Sequence, residues 1–275
     1  MNYIAALYFS HMVLLAGVET ASVQCDVPGF DHLIDDLGRG IIVIGELHGT
    51  EEGPALLSNL ACAAITRNLR TAVLFEAPGQ FDEILNSTPG RREAAQAHLC
   101  EHMEPFWAWS RDGRGTHALL SAWVNLAEMR GSSANGLTLG AHDLSWGRSE
   151  AHSLSQHAKS RAAAMTERIS KALSDHAIVI VNVGAAHPTR IRERLLVDAA
   201  YDGRPITRVA QRFSGGQAWN CQRSRCQTHD IPGRYRGPAS TPGVVRTETI
   251  RNYDAVVHLG DATASPALRE TDACD

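Results

Sequence analysis

Short apolar runs alternate with longer amphipathic stretches along most of the chain. The β-branched and aliphatic content of these runs is typical of strands, and the earlier ones read as strands buried on both faces. The predicted strands cover residues 40–45, 71–75, 137–140, 177–183, 206–212 and 255–259. Alternation of strands and helices favours an α/β fold, in which helices flank both faces of a parallel or mixed sheet.

The stretches between these runs carry apolar residues at helical spacing. They predict helices over residues 50–70, 116–130, 148–173 and 188–197. Thr50 is placed to cap the first of these helices. Residues 79–115 lack a strand pattern, so we expect them to form a helical insertion or a lid over the sheet. The residues from Ala264 onward are predicted to be a loose tail.

Length and charge limit the class of protein. The chain has 275 residues, of which 44% are hydrophobic and 20% are charged, which is an ordinary globular composition. The length suits one large α/β domain or two small ones, and we expect one α/β domain over residues 25–275. The net charge of -4, without a block of like charges, argues against a nucleic-acid partner. A small molecule or a peptide is the expected substrate.

The N-terminal segment resembles a secretory signal. Residues 4–18 are largely apolar, and the small residues Ala21 and Ser22 follow them. The absence of Lys and Arg before this run and the interruption at His11 favour the alternative, an N-terminal helix packed on the domain. A signal over residues 1–24 would export the protein to the periplasm or the medium, with membrane contact only through that signal. Otherwise the protein would be cytoplasmic.

Six cysteines are an even number, which favours disulfides in an exported protein. Cys221 and Cys226 flank a short loop and are predicted to close a small disulfide ring. Half of a metal site is the alternative, but a second close pair is missing, which disfavours structural zinc. Cys62 lies in an apolar helical run and is interpreted as a buried thiol. The sequence leaves the pairing of the other cysteines open: Cys25, Cys62, Cys100 and Cys274.

Polar residues follow four of the predicted strands at the point where each strand ends: Glu46 and His48, then Glu76, then His142 and Asp143, then His187. In a parallel sheet these ends share one rim, where ligands bind. Carboxylates and imidazoles together can activate a water molecule or ligate a metal ion. Each residue also has a structural interpretation. Glu76 alone could be a solvated loop residue, Asp143 could begin a turn, and His187 could stabilise the next helix.

Other site types lack their motifs. The sequence has no Gly-x-Ser-x-Gly elbow, no Walker loop, no dinucleotide-binding fingerprint and no His-Glu-x-x-His motif. A serine hydrolase, a nucleotide-dependent enzyme and a zincin are therefore disfavoured.

One motif has a recognisable parallel. Gly45-Glu46-Leu47-His48-Gly49-Thr50-Glu51-Glu52-Gly53-Pro54 resembles the first motif of the erythromycin esterase-like and ChaN-like superfamily, which includes haem-uptake proteins and is related to Tiki and TraB proteins. Further features follow in the same order, over residues 40–265: Phe75-Glu76-Ala77-Pro78, Arg161 ahead of residues 164–168, Val183-Gly184-Ala185-Ala186-His187 and residues 253–258.

The resemblance implies a three-layer α/β fold with a helical subdomain. It further implies that His48 activates water while Glu46 and Glu76 orient or assist it. His187 would stabilise a developing oxyanion or ligate a metal ion. Arg161 would bind a substrate carboxylate or anchor a glutamate.

The leading hypothesis is an exported hydrolase that cleaves an ester or amide, with His142 and Asp143 as further candidates for contacting the substrate. The alternative is a haem- or metal-binding uptake protein without catalysis. Its divalent metal would be held by Glu46, His48, Glu76 and His187, and its haem by an axial tyrosine: Tyr201, Tyr235 or Tyr253. A degenerate relative with a structural role is a third hypothesis.

Overall fold

The structure is a computed structural model. It describes residues 25, 27–37, 39–110, 112–133, 136–145, 154–222, 225–238, 241–246, 250, 252–271 and 273–274. The predicted signal, residues 1–24, and the start of the predicted helix 148–173 lie outside this part of the chain.

Strands form at every predicted position and at several more. In the described residues they are β1 (Gly40–Glu46), β2 (Thr71–Pro78), β3 (Leu137–Asp143), β4 (Ile178–Gly184), β5 (Ile206–Arg212), β6 (Gly215–Gln222), β7 (Arg225–Asp230), β8 (Gly243–Arg246), β9 (Ala255–His258) and β10 (Asp261–Ala262). Seven of them make one sheet in the order β3-β2-β4-β1-β5-β9-β8. Every pairing in that sheet is parallel except β8 with β9. The predicted mostly parallel sheet is therefore confirmed.

The helices in the described residues are α1 (Phe30–Leu37), α2 (Glu52–Thr66), α3 (Asp82–Ser87), α4 (Arg92–His102), α5 (Glu104–Trp109), α6 (His117–Ser132), α7 (Leu154–Leu173) and α8 (Pro188–Leu195). Thr50 accepts a hydrogen bond from the Gly53 N–H through its hydroxyl, 3.3 Å away, so it caps the start of α2 as expected. None of these helices combines the length and the apolar character that crossing a bilayer requires.

Side chains alternate across the sheet because successive strand residues point to opposite faces. In β1, Ile42 and Ile44 join a core with α2 and α6, whereas Ile41 and Val43 join a second core with α7 and α8. All four side chains are fully buried. Strands covered on both faces explain why β1 reads as a continuous aliphatic run, and they give the molecule its three layers.

The helical insertion is also confirmed. A short 3-10 helix (Gly79–Phe81) leads into α3, α4 and α5. Their apolar side chains, among them Leu85, Leu99 and Phe106, enter the same core as Trp123 of α6. These helices therefore thicken one helical layer. The residues that follow α5 reach the carboxyl end of β2, where Arg114 donates to the Glu76 carbonyl.

The sequence pattern did not predict the hairpin that β6 and β7 form. Its second strand reads Arg-Cys-Gln-Thr-His-Asp, with no apolar alternation, and most of its side chains are exposed. Ladder hydrogen bonds pair it with β6, and β10 pairs with the other edge of β6. Leu47, Phe213 and Ile231 form a small third core there, which holds the hairpin against the large sheet.

The prediction of a loose C-terminal tail is wrong. Ser265, Ala267 and Leu268 are almost fully buried. Ser265 donates its backbone N–H to the Gly49 carbonyl at 3.0 Å, and its hydroxyl accepts the Ala118 N–H at 2.9 Å. Backbone hydrogen bonds place this segment, which has too few apolar residues to show as a strand or a helix.

Three disulfides join the six cysteines. Cys221 pairs with Cys226, as predicted, across adjacent positions of β6 and β7. Cys62 is bonded to Cys25, so its interpretation as a buried thiol is wrong: the apolar helical pattern around it reports its burial and says nothing of its partner. The third bond, Cys100 to Cys274, ties the C-terminal segment to α4.

The stability that each disulfide contributes should depend on the length of the loop that it closes. The Cys100–Cys274 bond spans 174 residues and the Cys221–Cys226 bond spans 5. The chain-entropy model gives about 5 kcal/mol for the long loop and about 2 kcal/mol for the short one. A Cys100→Ala/Cys274→Ala variant should therefore lose more free energy of unfolding than Cys221→Ala/Cys226→Ala, measured by urea unfolding without reductant. Equal losses would contradict this account of the C-terminal segment.

Candidate active site

The strand ends that carry the predicted chemistry lie side by side. β3, β2, β4 and β1 are consecutive and parallel in the sheet, so their carboxyl ends meet at one rim. Glu46, His48, Glu76 and His187 all line one cavity of about 620 Å³ there. This volume is that of a small-molecule site.

The His48 ring lies between two carboxylates. Its Nδ1 is 3.5 Å from Glu46 Oε2, and its Nε2 is 3.6 Å from Glu76 Oε2. Burial alone would lower the pKa of His48. The negative charges of Glu46 and Glu76 outweigh that effect and raise the pKa well above the ordinary value of 6.5. The raised pKa favours the imidazolium form of His48.

Glu46 is held by a side chain of the neighbouring strand. Asn182 of β4 donates its amide N–H to Glu46 Oε2, the same oxygen that faces His48. Both residues are buried. The amide fixes the carboxylate while leaving it directed at the imidazole.

Glu76 leaves the regular ladder. The register of β2 against β3 shifts between Phe75 and Pro78, an irregularity of the kind that re-aims a side chain. Its Oε2 accepts the Gly184 N–H at 2.5 Å, and its Oε1 accepts an N–H of Arg161 at 2.5 Å. Burial would raise the pKa of Glu76, but its hydrogen bond with His48 and the positive charge of Arg114 hold the pKa well below the ordinary value.

The turn that presents His48 is clamped from two sides. The Gly49 carbonyl accepts the N–H of Trp219, in the hairpin, at 2.8 Å and that of Ser265, in the C-terminal segment, at 3.0 Å. Gly49 has φ of +85°, and a Cβ atom there would collide with the Trp219 carbonyl. Gly184 leaves room for the His48 ring, because a Cβ atom on Gly184 would lie only 2.9 Å from His48 Nε2.

At the cavity wall, two partly exposed arginines and two buried carboxylates form an ion network. Arg161 Nη2 is 2.6 Å from Asp143 Oδ2 and also bonds Glu76. Arg114 donates to the Glu76 carbonyl at 3.0 Å and lies 3.4 Å from both Glu76 Oε1 and Asp143 Oδ2. Arg161 lines the cavity and anchors Glu76, one of the two roles that the resemblance implied. Sequence reasoning missed Arg114, which has no motif of its own.

His142 and Asp143 are not among the residues that line the cavity, so the structure does not place them against a substrate. His142 is fully buried, with its Nε2 3.1 Å from the Asn182 carbonyl, and burial lowers its pKa. The Asp143 carboxylate forms ion pairs with Arg114 and Arg161. β3 is the edge strand of this group, one strand further from His48 than β2, so its end lies behind the wall.

His187 faces the cavity from the loop after β4. Its Nε2 is 3.7 Å from Glu76 Oε1, and its buried Nδ1 has no hydrogen-bond partner among the described residues. Burial lowers the pKa of His187 despite the nearby Glu76 charge, so this imidazole is neutral at neutral pH. The two cavity histidines therefore differ in charge.

Another part of the wall was not predicted to belong to this site, although Tyr235 and Tyr253 were named as candidate haem ligands. It comes from the end of β5, from the hairpin and from the residues that follow it: Arg212, Asn220, Arg234, Tyr235 and Tyr253. These residues share no local motif. They meet in the cavity only because β5 pairs with β1 and because the hairpin folds over the same rim.

The residues fit a metal ion poorly. No three His, Cys, Asp or Glu side chains converge on one point in the part of the chain that is described. Both ring nitrogens of His48 face carboxylates, and both oxygens of Glu76 already accept hydrogen bonds. The donor atoms are thus directed at each other.

The cavity also fits haem poorly. Haem needs an apolar surface beside a free axial ligand, whereas three arginines and three acids line these walls. The hydroxyl of Tyr253 donates to the Ala185 carbonyl at 3.0 Å, and Tyr201 packs against the other core. Tyr235 does line the cavity but is buried.

The chain resembles solved structures in fold. A histidine-to-asparagine mutant of erythromycin esterase EreC, in its open conformation, superposes with a TM-score of 0.53 at 13% identity over 86% of this chain and 94% of that one. A Bacillus cereus protein gives a TM-score of 0.50 at 7% identity over 90% and 95% of the two chains. The chain shares the fold of an erythromycin esterase. The predicted resemblance is therefore confirmed for the fold.

Apart from the motif at residues 45–54, the similarity to these proteins lies in the structure. No protein-family model matches the sequence, and no curated protein sequence matches it significantly.

The opposite pKa shifts predict how stability depends on pH. Folding lowers the pKa of Glu76. The ionised Glu76 therefore stabilises the folded protein above pH 4.5, and this stabilisation is lost as the pH falls through the pKa of Glu76 in the folded state. The pKa of His48 is raised, so its stabilisation is complete below 6.5 and is lost as the pH rises through the folded value. The free energy of unfolding should therefore be highest between these pH values.

A Glu76→Gln variant should lose about 3–5 kcal/mol of unfolding free energy, because it removes the buried negative charge that His48, Arg161 and Arg114 share. It should also flatten both arms of the pH dependence, as measured by denaturant unfolding across pH. Glu101→Gln, at a side chain that is 77% exposed, is the control. A Glu76→Gln profile parallel to that of the wild type would contradict the coupling.

Proposed function

We propose that the protein hydrolyses an ester or amide by activating water at His48. The observation that carries this proposal is the His48 ring, set between Glu46 and Glu76 and open to a cavity of about 620 Å³. A histidine base that is oriented by a neighbouring carboxylate is an arrangement that activates water.

The proposed reaction uses the deprotonated form of His48. Glu46 accepts the Nδ1–H and fixes the tautomer, so that the lone pair of Nε2 can accept a proton from a water molecule that also donates to the Glu76 carboxylate. Nε2 removes a proton as the water oxygen attacks the carbonyl carbon of the substrate. The proton then passes to the leaving alcohol or amine as the carbon–oxygen or carbon–nitrogen bond breaks. Glu76 itself is fixed by Arg161 and by the Gly184 N–H.

Charge that develops on the carbonyl oxygen needs a donor. His187 is neutral and can donate an N–H into the cavity, and Arg161 presents a cation in the same wall. We assign oxyanion stabilisation to His187, with Arg161 holding Glu76.

The compartment is part of the proposal. Three disulfides within one chain are typical of an oxidising environment. Together with the signal-like pattern of residues 1–24, they support export to the periplasm or beyond.

The test is a His48→Gln variant, which keeps the size of the side chain but cannot accept a proton from water. Its kcat/KM in a screen of ester and amide substrates should fall by about 10²–10⁴, the usual contribution of a general base. His32→Gln, at an exposed position of α1, should keep full activity.

Equal activity of His48→Gln and the wild type, on any substrate that the wild type hydrolyses, would overturn the assignment. A folding control comes from the thermal unfolding of the two variants, measured under the conditions of the activity assay.

A further inference from the structure

Two arginines of the cavity wall lie apart from the reactive cluster. Arg212 ends β5, the strand next to β1 on the side away from β4 and β2. Arg234 lies in a short 3-10 helix (Gly233–Tyr235), which Phe213 ties to the end of β5 through a 2.9 Å hydrogen bond from its N–H to the Tyr235 carbonyl. Backbone pairing therefore brings both arginines to one end of the cavity.

Each acid of the cavity already has a cationic partner. Glu76 bonds Arg161 at 2.5 Å, and Asp112 lies 2.9 Å from Arg114. Glu46 faces the His48 ring at 3.5 Å and accepts the amide N–H of Asn182. The negative charge of the lining is thus internally balanced.

The two arginines have no such partner. The Arg212 guanidinium donates to a backbone carbonyl, that of Gln211, at 3.0 Å. The Arg234 guanidinium lies 5.1 Å from the centre of the Tyr235 ring. Neither makes an ion pair with a carboxylate of the described residues, although both line the cavity. Two cationic forks at one end of a cavity match an oxyanion, which the planar guanidinium binds through paired hydrogen bonds.

We propose that Arg212 and Arg234 bind a carboxylate or phosphate group of the substrate while its ester or amide carbonyl lies at His48. The identity of this group as part of a substrate rests on the proposed hydrolysis; the anion site itself does not. Several of the remaining lining residues are apolar, among them Leu47, Ala185 and Ala186, and suit a short hydrocarbon spacer. The substrate class is then a small anionic ester or amide.

Binding tests this without catalysis. Levulinate, a ketone that cannot be hydrolysed, carries a carboxylate, and butanone is its neutral counterpart. We expect NMR titration of the full chain to show levulinate or inorganic phosphate binding at least tenfold more tightly than butanone, which is about the effect of one charged hydrogen bond. The tighter of the two anions identifies the group as carboxylate or phosphate.

Arg212→Gln and Arg234→Gln should each weaken binding of that anion about tenfold. Arg236→Gln is the matched control, because this exposed arginine lies two residues from Arg234 and outside the cavity lining. Arg234 is exposed, so Arg234→Gln should fold normally. It therefore still tests the anion site if Arg212→Gln unfolds the chain.

Two results would overturn the anion site: butanone binding as tightly as both anions, or Arg234→Gln matching Arg236→Gln. Hydrolysis is scored separately. Anion binding without turnover of any ester would refute the proposed hydrolysis and keep the anion site. Turnover of neutral esters that depends on neither arginine would keep the proposed hydrolysis and refute the anion site.

Discussion

The burial of the Glu76 carboxylate is the constraint on which the site depends. A buried charge is tolerated only where hydrogen bonds and counter-charges surround it. Glu76 obtains them from Gly184 of β4, from Arg161 of α7 and from His48 after β1. Because those partners come from three elements, satisfying one carboxylate fixes how the sheet, the long helix and the histidine turn meet.

A second constraint acts on the same turn from outside the sheet. The hairpin and the C-terminal segment both donate to the Gly49 carbonyl. The Cys100–Cys274 disulfide ties the C-terminal segment to α4, and the Cys221–Cys226 disulfide joins the two strands of the hairpin. His48 therefore lies on a short, doubly anchored turn rather than on a mobile loop. Such rigidity is what a base needs if it is to hold its angle to a water molecule.

The sequence predicted the sheet and the reactive cluster because both follow from local patterns. β1 and β4 are aliphatic runs, and Glu46, Glu76 and His187 stand where such runs end. The hairpin, the buried tail and the disulfide of Cys62 were missed or misread, since backbone pairing and covalent bonds leave no hydrophobic period. Arg114, Arg212 and Arg234 reach the site only through tertiary packing, so no spacing in the sequence announces them. His142 was predicted from the same strand-end rule, but the rule does not tell an edge strand from a central one.

The charge states of the two histidines allow a direct test of the central claim, that His48 is the base. The measurement is the pH dependence of kcat/KM for ester hydrolysis by the wild-type protein. Since the pKa of His48 is raised and the pKa of His187 is lowered from 6.5, activity should rise with pH through an apparent pKa above 6.5. A rate that rises through a pKa below 6.5 would contradict the account and assign the base to His187.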